Sequence, residues 1–435
     1  MAAPAAAGWT RPVQIATTNS IEVLGPQVAS SASGTAAVSF NEVDLDAQAT
    51  ASAFLALAAP HGPFSTAQIV PRVQEILALA YSGSTLELLT ASGPSGQPCC
   101  SIAQVLRLRP GSGFGRPQTI ATGLGGGTTG RLVALADGRM LAVVGGPQRL
   151  WATEARGSGS FAPARGLTRS GSGPAALAVT GTPEGGSAVV WTQGSGGQVF
   201  GAAATAGATP SRRHILLTVG AGHAVNGLQL VPGPDGLTMG WTESFSDSTG
   251  AYHSQAMAAD LTGFARPVRA RGLSAPADVA SSLALASDGK GGEVATWEVC
   301  SPTSLACALD ATSRPDAPPV RKVKKGKKAK PVRVRWFGAP SRLGSIDAGE
   351  SPDLTMAANR EALEGWITGG RVVLAELLPD ATRFGAARHT LSGTLADNLA
   401  LGFGPTGEAV ASWTQGTYSP NVFASRSGPP PAATR

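Results

Sequence analysis

The chain has 435 residues, 42% of them hydrophobic, with 57 Gly, 32 Pro and a formal net charge of +6. That apolar content supports a large core, which excludes a disordered chain, and the Gly and Pro keep no fixed period, which excludes a fibrous one. No run of 18 apolar residues occurs, so no segment reads as a membrane-crossing helix, and no long stretch carries an apolar stripe at helical spacing.

MAAPAAAGW opens the chain with small residues like those around a signal-peptidase site, and no charged or apolar region precedes them. It reads as the start of a mature secreted chain whose signal has been removed. GWTRPVQIAT (8–17) follows, and it is a near-copy of GFGRPQTIAT (113–122). Six of ten positions are identical and Trp9 answers to Phe114.

From residue 27 onward one pattern recurs: an apolar run of small residues, a Gly turn, an apolar run ending in an anchor residue, a polar loop, a third strand, and a G-F-x-R-P-like segment. The expected first strands are VASSAS (28–33), EILALAYS (75–82), LVALAD (132–137), ALAVTG (176–181), GLQLVP (227–232), SLALAS (282–287), DLTMAA (353–358) and NLALGF (398–403). The second strands end around Phe40, Leu89, Val144, Trp191, Trp241, Trp297, Trp366 and Trp413. Phe64, Phe114, Phe161, Phe264, Phe337 and Phe384 are expected on the last strands, and SRRHILLTV (211–219) takes that place in the fourth unit. The units span about 27–71, 73–123, 130–170, 175–220, 224–274, 279–345, 351–393 and 398–427.

A four-stranded unit of this size cannot bury both sheet faces alone, and radial stacking buries them while leaving only short edges, the β-propeller solution. The eighth unit supplies three strands and stops before a Pro/Ala-rich tail (428–435), while residues 8–17 are one strand to spare. The expectation is therefore an all-β, eight-bladed β-propeller of four-stranded antiparallel blades, with the N-terminal strand completing the last blade. Seven blades is the fallback if the weak third unit is irregular. The anchor Trp side chains, at the ends of apolar strands, read as core between blades and not as sugar platforms.

Four cysteines remain to be placed. Cys300 and Cys307 flank one hairpin turn and are expected to form a disulfide; Cys99 and Cys100, at the same turn of the second unit, read as a vicinal disulfide or two free thiols. Residues 321–335, RKVKKGKKAKPVRVR, hold nine Lys and Arg and no acid. Outside them 25 basic residues (34 less 9) face 28 acidic ones, a balance of −3. This insertion reads as a solvated hairpin tip, and as a contact for a polyanion through Lys322, Lys324, Lys325, Lys327, Lys328 and Lys330.

The ligand-face candidates are polar residues just past the anchors: Glu42, Gln193, Glu243 and Gln415, joined by Asp44, Asp46 and Asp247. Glu42 and Glu243 belong to opposed blades, too far apart for a glycosidase pair, whose carboxylates stand within about 9.5 Å. The five His fall in different units without metal spacing, and no G-x-S-x-G elbow occurs. No catalytic residue, metal or cofactor is expected from these patterns.

In repeat pattern, over nearly the whole chain, the sequence resembles divergent bacterial β-propeller repeat proteins of sialidase-like or WD40-like general form. The sialidase Asp-box S-x-D-x-G-x-x-W is missing: SPDLTMAANREALEGW (351–366) and SDGKGGEVATW (287–297) begin similarly with the wrong spacing to Trp. The adjacent Cys99–Cys100 also resembles the vicinal disulfide of eight-bladed quinoprotein dehydrogenases, but their Thr-Gly-Lys-to-Trp docking motif and a Ca²⁺-ligand set are missing. The expectation is a monomeric, secreted or surface-associated scaffold binding a protein or glycan on one disc face, with a sialidase-like carbohydrate-active hydrolase as the alternative.

Overall fold

The computed structural model describes residues 8–18, 22–44, 50–93, 100–157, 159–264, 268–301, 306–315, 336–386, 388–404, 407–417 and 420–428. Every regular element among them is a β-strand. The strands hydrogen-bond into seven sheets, six of four strands and one of eight. The larger sheet is two four-stranded units that meet at a single parallel bridge, Ser254 to Val279. The described residues thus form eight four-stranded antiparallel units in chain order, an architecture consistent with a propeller.

Sequence periodicity explains the layering inside each unit. Second strands such as Ser187–Gln193 and Ala362–Thr368 are mostly apolar and buried on both faces. Fourth strands such as Gln68–Ile69 and Arg271–Gly272 are only two residues long and exposed, which leaves a short outer edge. The third unit is regular, with strands Thr129–Ala134, Arg139–Gly146, Arg149–Arg156 and Arg165–Gly166. First strands begin earlier than expected in several units: Glu22–Ser30 starts six residues before VASSAS. Six of them also carry a bulge two or three residues in, for example between Leu24 and Gln27 and between Asp397 and Ala400. At this point Gly227, Ser282 and Asn398 take left-handed φ values of 59°, 49° and 52°, so the bulge re-aims the strand at its start.

One expectation needs correction. The Phe residues do not sit within fourth strands. Phe64 and Phe114 make isolated bridges to Ala58 and Leu108, and the strands begin four residues later at Gln68 and Gln118. Trp9 behaves in the same way: it bridges Ser427, and Val13–Thr17 then pairs with Asn421–Arg426. The kinship of residues 8–17 and 113–122 therefore extends to their pairing. The N-terminal strand is the fourth strand of the last sheet.

Core side chains collect between consecutive units. Trp191 packs with Leu135, Leu141 and Val143 of the third unit, Trp241 with Ala178 and Val190 of the fourth, and Trp297 with Ala256 and Ala258 of the fifth. The five anchor Trp side chains are at most 2% exposed, and their Nε1 groups find no acceptor among the described residues. Apolar burial therefore outweighs an unmet donor at each. Ile15, Val422 and Ala424 of the last unit share a cluster with Val38 and Phe40 of the first.

Each first strand lies against that of the next unit, and the last, Ala396–Phe403, lies against Glu22–Ser30. Buried arginines reinforce several junctions from the opposite ends of the strands. Arg139 bonds Asp137 and Glu154 and donates to Gly185 O at 2.7 Å. Arg314 pairs with Asp260 and Glu293 at 2.6 and 3.1 Å. Arg426 pairs with Glu408 and donates to the carbonyls of Gly34, Ala59 and Gly62 at 2.8–3.0 Å.

Candidate functional site

Strands alternate in direction, so the second-to-third loops and the fourth-to-first crossings of all units gather at the same strand ends. The sequence places its polar candidates there, and the structure shows three of the seven, Gln193, Glu243 and Asp247, engaged with nearby residues of the chain. Gln193 donates to Ser172 O at 2.7 Å and accepts from Arg213 at 3.4 Å. Glu243 pairs with His223 Nδ1 at 2.7 Å. Asp247 organises its loop: it accepts from Thr249 N and Oγ1 and Ala251 N, and contacts His253 Nε2 at 2.9 Å. These bonds, the Thr249 hydroxyl foremost, hold its carboxyl well below the usual range. His223, Phe245 and His253 stack on one another over this hairpin, with centroids 4.4 and 5.2 Å apart.

Glu42 is half-buried on the strand Ala36–Asp44, and Gln415 ends Ala409–Gln415 opposite Asn421. The Asp44 side chain, Asp46, Cys99 and the six lysines from Lys322 to Lys330 lie outside the described residues. Cys300 and Cys307 form the expected disulfide, at directly opposed positions of one hairpin. Cys100 is buried, its Sγ 3.3 Å from a carboxylate oxygen of Glu75.

A pocket of about 240 Å³ opens instead where the last unit meets the first, lined among others by Glu22, Leu24, Gly25, Asp397, Asn398 and Thr414. Its two walls are the bulged starts of two first strands, Glu22–Ser30 and Ala396–Phe403. Asn398 sits in the left-handed region with its side chain near Gly25. Thr414 Oγ1 donates to Asp397 O at 2.9 Å, and Asp397 Oδ1 accepts from Asn398 N at 2.7 Å.

Behind this wall Glu350 precedes the first strand of the seventh unit. Burial, then the charge of Asp397 and its hydrogen bond, then Asp347 and Glu298, push the Glu350 pKa up to about 7. Deeper in the same unit, burial raises Asp353 to about 6 although Leu401 N donates to it at 2.6 Å. Glu364 is fully buried and raised well above the usual range, with Thr296 as donor at 3.0 Å.

The pocket contains none of the expected candidates, although Gln415 lies between two of its lining residues, Thr414 and Gly416. Its acids, Glu22 and Asp397, stand at the starts of the first strands Glu22–Ser30 and Ala396–Phe403. Acids at the starts of the first strands were the available signal; attention to the loops after the second strands passes over them.

No protein-family model matches the chain. No curated protein matches it either. Among solved structures it is similar to a protein of unknown function from Dyadobacter fermentans, with 11% identity, 98% of each chain covered and a TM-score of 0.42. It is also similar to a Hadza microbial sialidase (11% identity, 95% of this chain and 94% of that one, TM-score 0.42). A third is the NanB sialidase of Streptococcus pneumoniae (8% identity, 96% and 70%, TM-score 0.40). Likenesses this distant assign no activity to this chain.

Proposed function

We propose that the chain is a closed eight-bladed β-propeller that acts as a secreted or surface-associated scaffold and binds a glycan in the pocket between its last and first units. The observation that carries this reading is the pocket itself, whose walls are two bulged first strands with an amide, hydroxyls and carboxylates directed to one small space. A space of about 240 Å³ lies below the range for drug-sized ligands and suits a single sugar ring held by hydrogen bonds. Ring closure is supported by the contact of Ala396–Phe403 with Glu22–Ser30 and by Arg426 reaching three carbonyls of the first unit. The Cys300–Cys307 disulfide is compatible with an extracellular location.

A glycan array and a cell-wall pull-down test this reading. Asn398→Gly keeps the left-handed backbone and removes the amide, so it should abolish binding without lowering the melting temperature. Binding that survives in this variant overturns the pocket assignment. A deletion of residues 321–335 tests the polyanion contact proposed for that insertion, which requires loss of salt-sensitive binding to anionic cell-wall polymers.

A second reading, a carbohydrate-active hydrolase, rests on the Glu350–Asp397 carboxyl pair beside the pocket. Turnover of chromogenic glycosides by the wild type, lost in both Glu350→Gln and Asp397→Asn, would favour it over a scaffold.

A further inference from the structure

Cys300 and Cys307 stand directly opposite each other on the second-to-third hairpin of the sixth unit, with Cα atoms 4.0 Å apart. Glu298 lies two residues before Cys300 on the same strand, so strand periodicity puts both side chains on one face of the sheet. A carboxylate oxygen of Glu298 and the two Sγ atoms all fall within 4.8 Å of one another, and Glu298 Oε1 is 3.2 Å from Cys300 Sγ. The other carboxylate oxygen accepts from Ser281 Oγ at 2.5 Å, which fixes the orientation of the group. Glu298 and Cys307 are buried.

We infer that reduction of this disulfide creates a divalent-metal site of two thiolates and one carboxylate, of the chemistry that suits Zn²⁺. Zinc holds sulfur at about 2.3 Å and oxygen at about 2.0–2.2 Å in tetrahedral geometry, which sets S···O near about 3.5 Å and S···S near about 3.8 Å. The Glu298–Cys300 separation is already close to this. The two sulfur atoms must move apart from bonding distance, which rotation of the side chains accomplishes once the covalent bond is gone. Three protein ligands leave the fourth position of a tetrahedron to water.

The reducing step balances with an external dithiol. Its thiolate attacks one sulfur, the S–S bond breaks, and the dithiol closes to its own disulfide as two electrons pass to the protein. Cys300 and Cys307 each take up a proton, and both protons leave when the thiolates coordinate the metal. Disulfide and metal therefore exclude each other, and the site is redox-gated. This inference does not rest on the glycan reading of the pocket.

The test uses the full chain, reduced anaerobically with a phosphine that is then removed, and titrated with Co²⁺. The expected result is one Co²⁺ per chain more than C300A/C307A binds, with thiolate-to-cobalt charge transfer in the near ultraviolet and tetrahedral d–d bands that Zn²⁺ bleaches. Oxidised protein and the variant C300A/C307A should lack this equivalent, whatever Cys99 and Cys100 contribute. Glu298→Gln should weaken Zn²⁺ binding by at least the roughly 10–100-fold typical of losing a supporting group, with the melting temperature of its oxidised form unchanged. Reduced wild type that takes up no more Co²⁺ than C300A/C307A overturns the proposal, as does a folded Glu298→Gln variant that binds Zn²⁺ as tightly as wild type. If Glu298→Gln does not fold, the cobalt comparison with C300A/C307A decides alone.

Discussion

Glu350 shows how strongly the surroundings set the chemistry of one residue. Burial and the neighbouring Asp397 lift its pKa from an ordinary 4.5 to about 7. The folded protein therefore holds this proton between pH 4.5 and 7 while the unfolded chain has released it. Stability falls as pH rises through that window and is flat on either side. Glu293, raised to about 7, and Asp353, raised to about 6, act in the same direction. Glu350→Gln removes one of these protons, so its stability should decline less than that of wild type between pH 5 and 8. Urea unfolding at the two pH values measures this, and parallel declines would show that the Glu350 shift is not expressed in stability. The anchor Trp residues are the opposite case. Their place was legible because a large apolar ring at the end of an apolar strand has few stable locations other than the core.

At the scale of elements, the N-terminal strand shows the most. Val13–Thr17 covers the strand Asn421–Arg426, and its Ile15 is fully buried against Phe40 and Val422. Deleting residues 8–17 should leave that strand as an unpaired edge, lower the melting temperature and promote association. Differential scanning calorimetry and sedimentation velocity measure the two effects, and an unaltered melting profile would mean that this strand contributes little. The duplication of GFGRPQTIAT made the pairing legible, because a segment that pairs at residue 118 has the same alternation at residue 13. The bulges at the starts of the first strands were not legible. They depend on how first strands of neighbouring units pack together; Asn398 is a residue type that tolerates a left-handed backbone, but Ser282 carries no local mark of one.

Across the whole molecule, the junction between the last and first units joins residues almost 400 positions apart. Arg426 is 4% exposed there and combines one carboxylate with three carbonyl acceptors. Arg426→Met leaves the buried Glu408 with His61 as its remaining polar contact and the three carbonyls without their donor, and should cost about 3–5 kcal/mol. The pair Arg342–Asp310, with Arg342 mostly exposed, should cost about 0–1 kcal/mol when Arg342 is changed to Met. Urea denaturation of both variants makes the comparison, and equal losses would remove any special weight from the junction.

The sequence by itself determined the strand units, their shared order, the N-terminal strand as partner of the last sheet, the buried anchor Trp and the Cys300–Cys307 bridge. Each of these follows from local alternation, repetition or the proximity of two residues on one hairpin. The pocket beside Asn398, the raised pKa of Glu350 and the arrangement of Glu298 against Cys300 and Cys307 were decided only by the tertiary structure. Burial, bulge geometry and the meeting of distant crossings set them, and none of these has a period or a spacing that a linear chain displays.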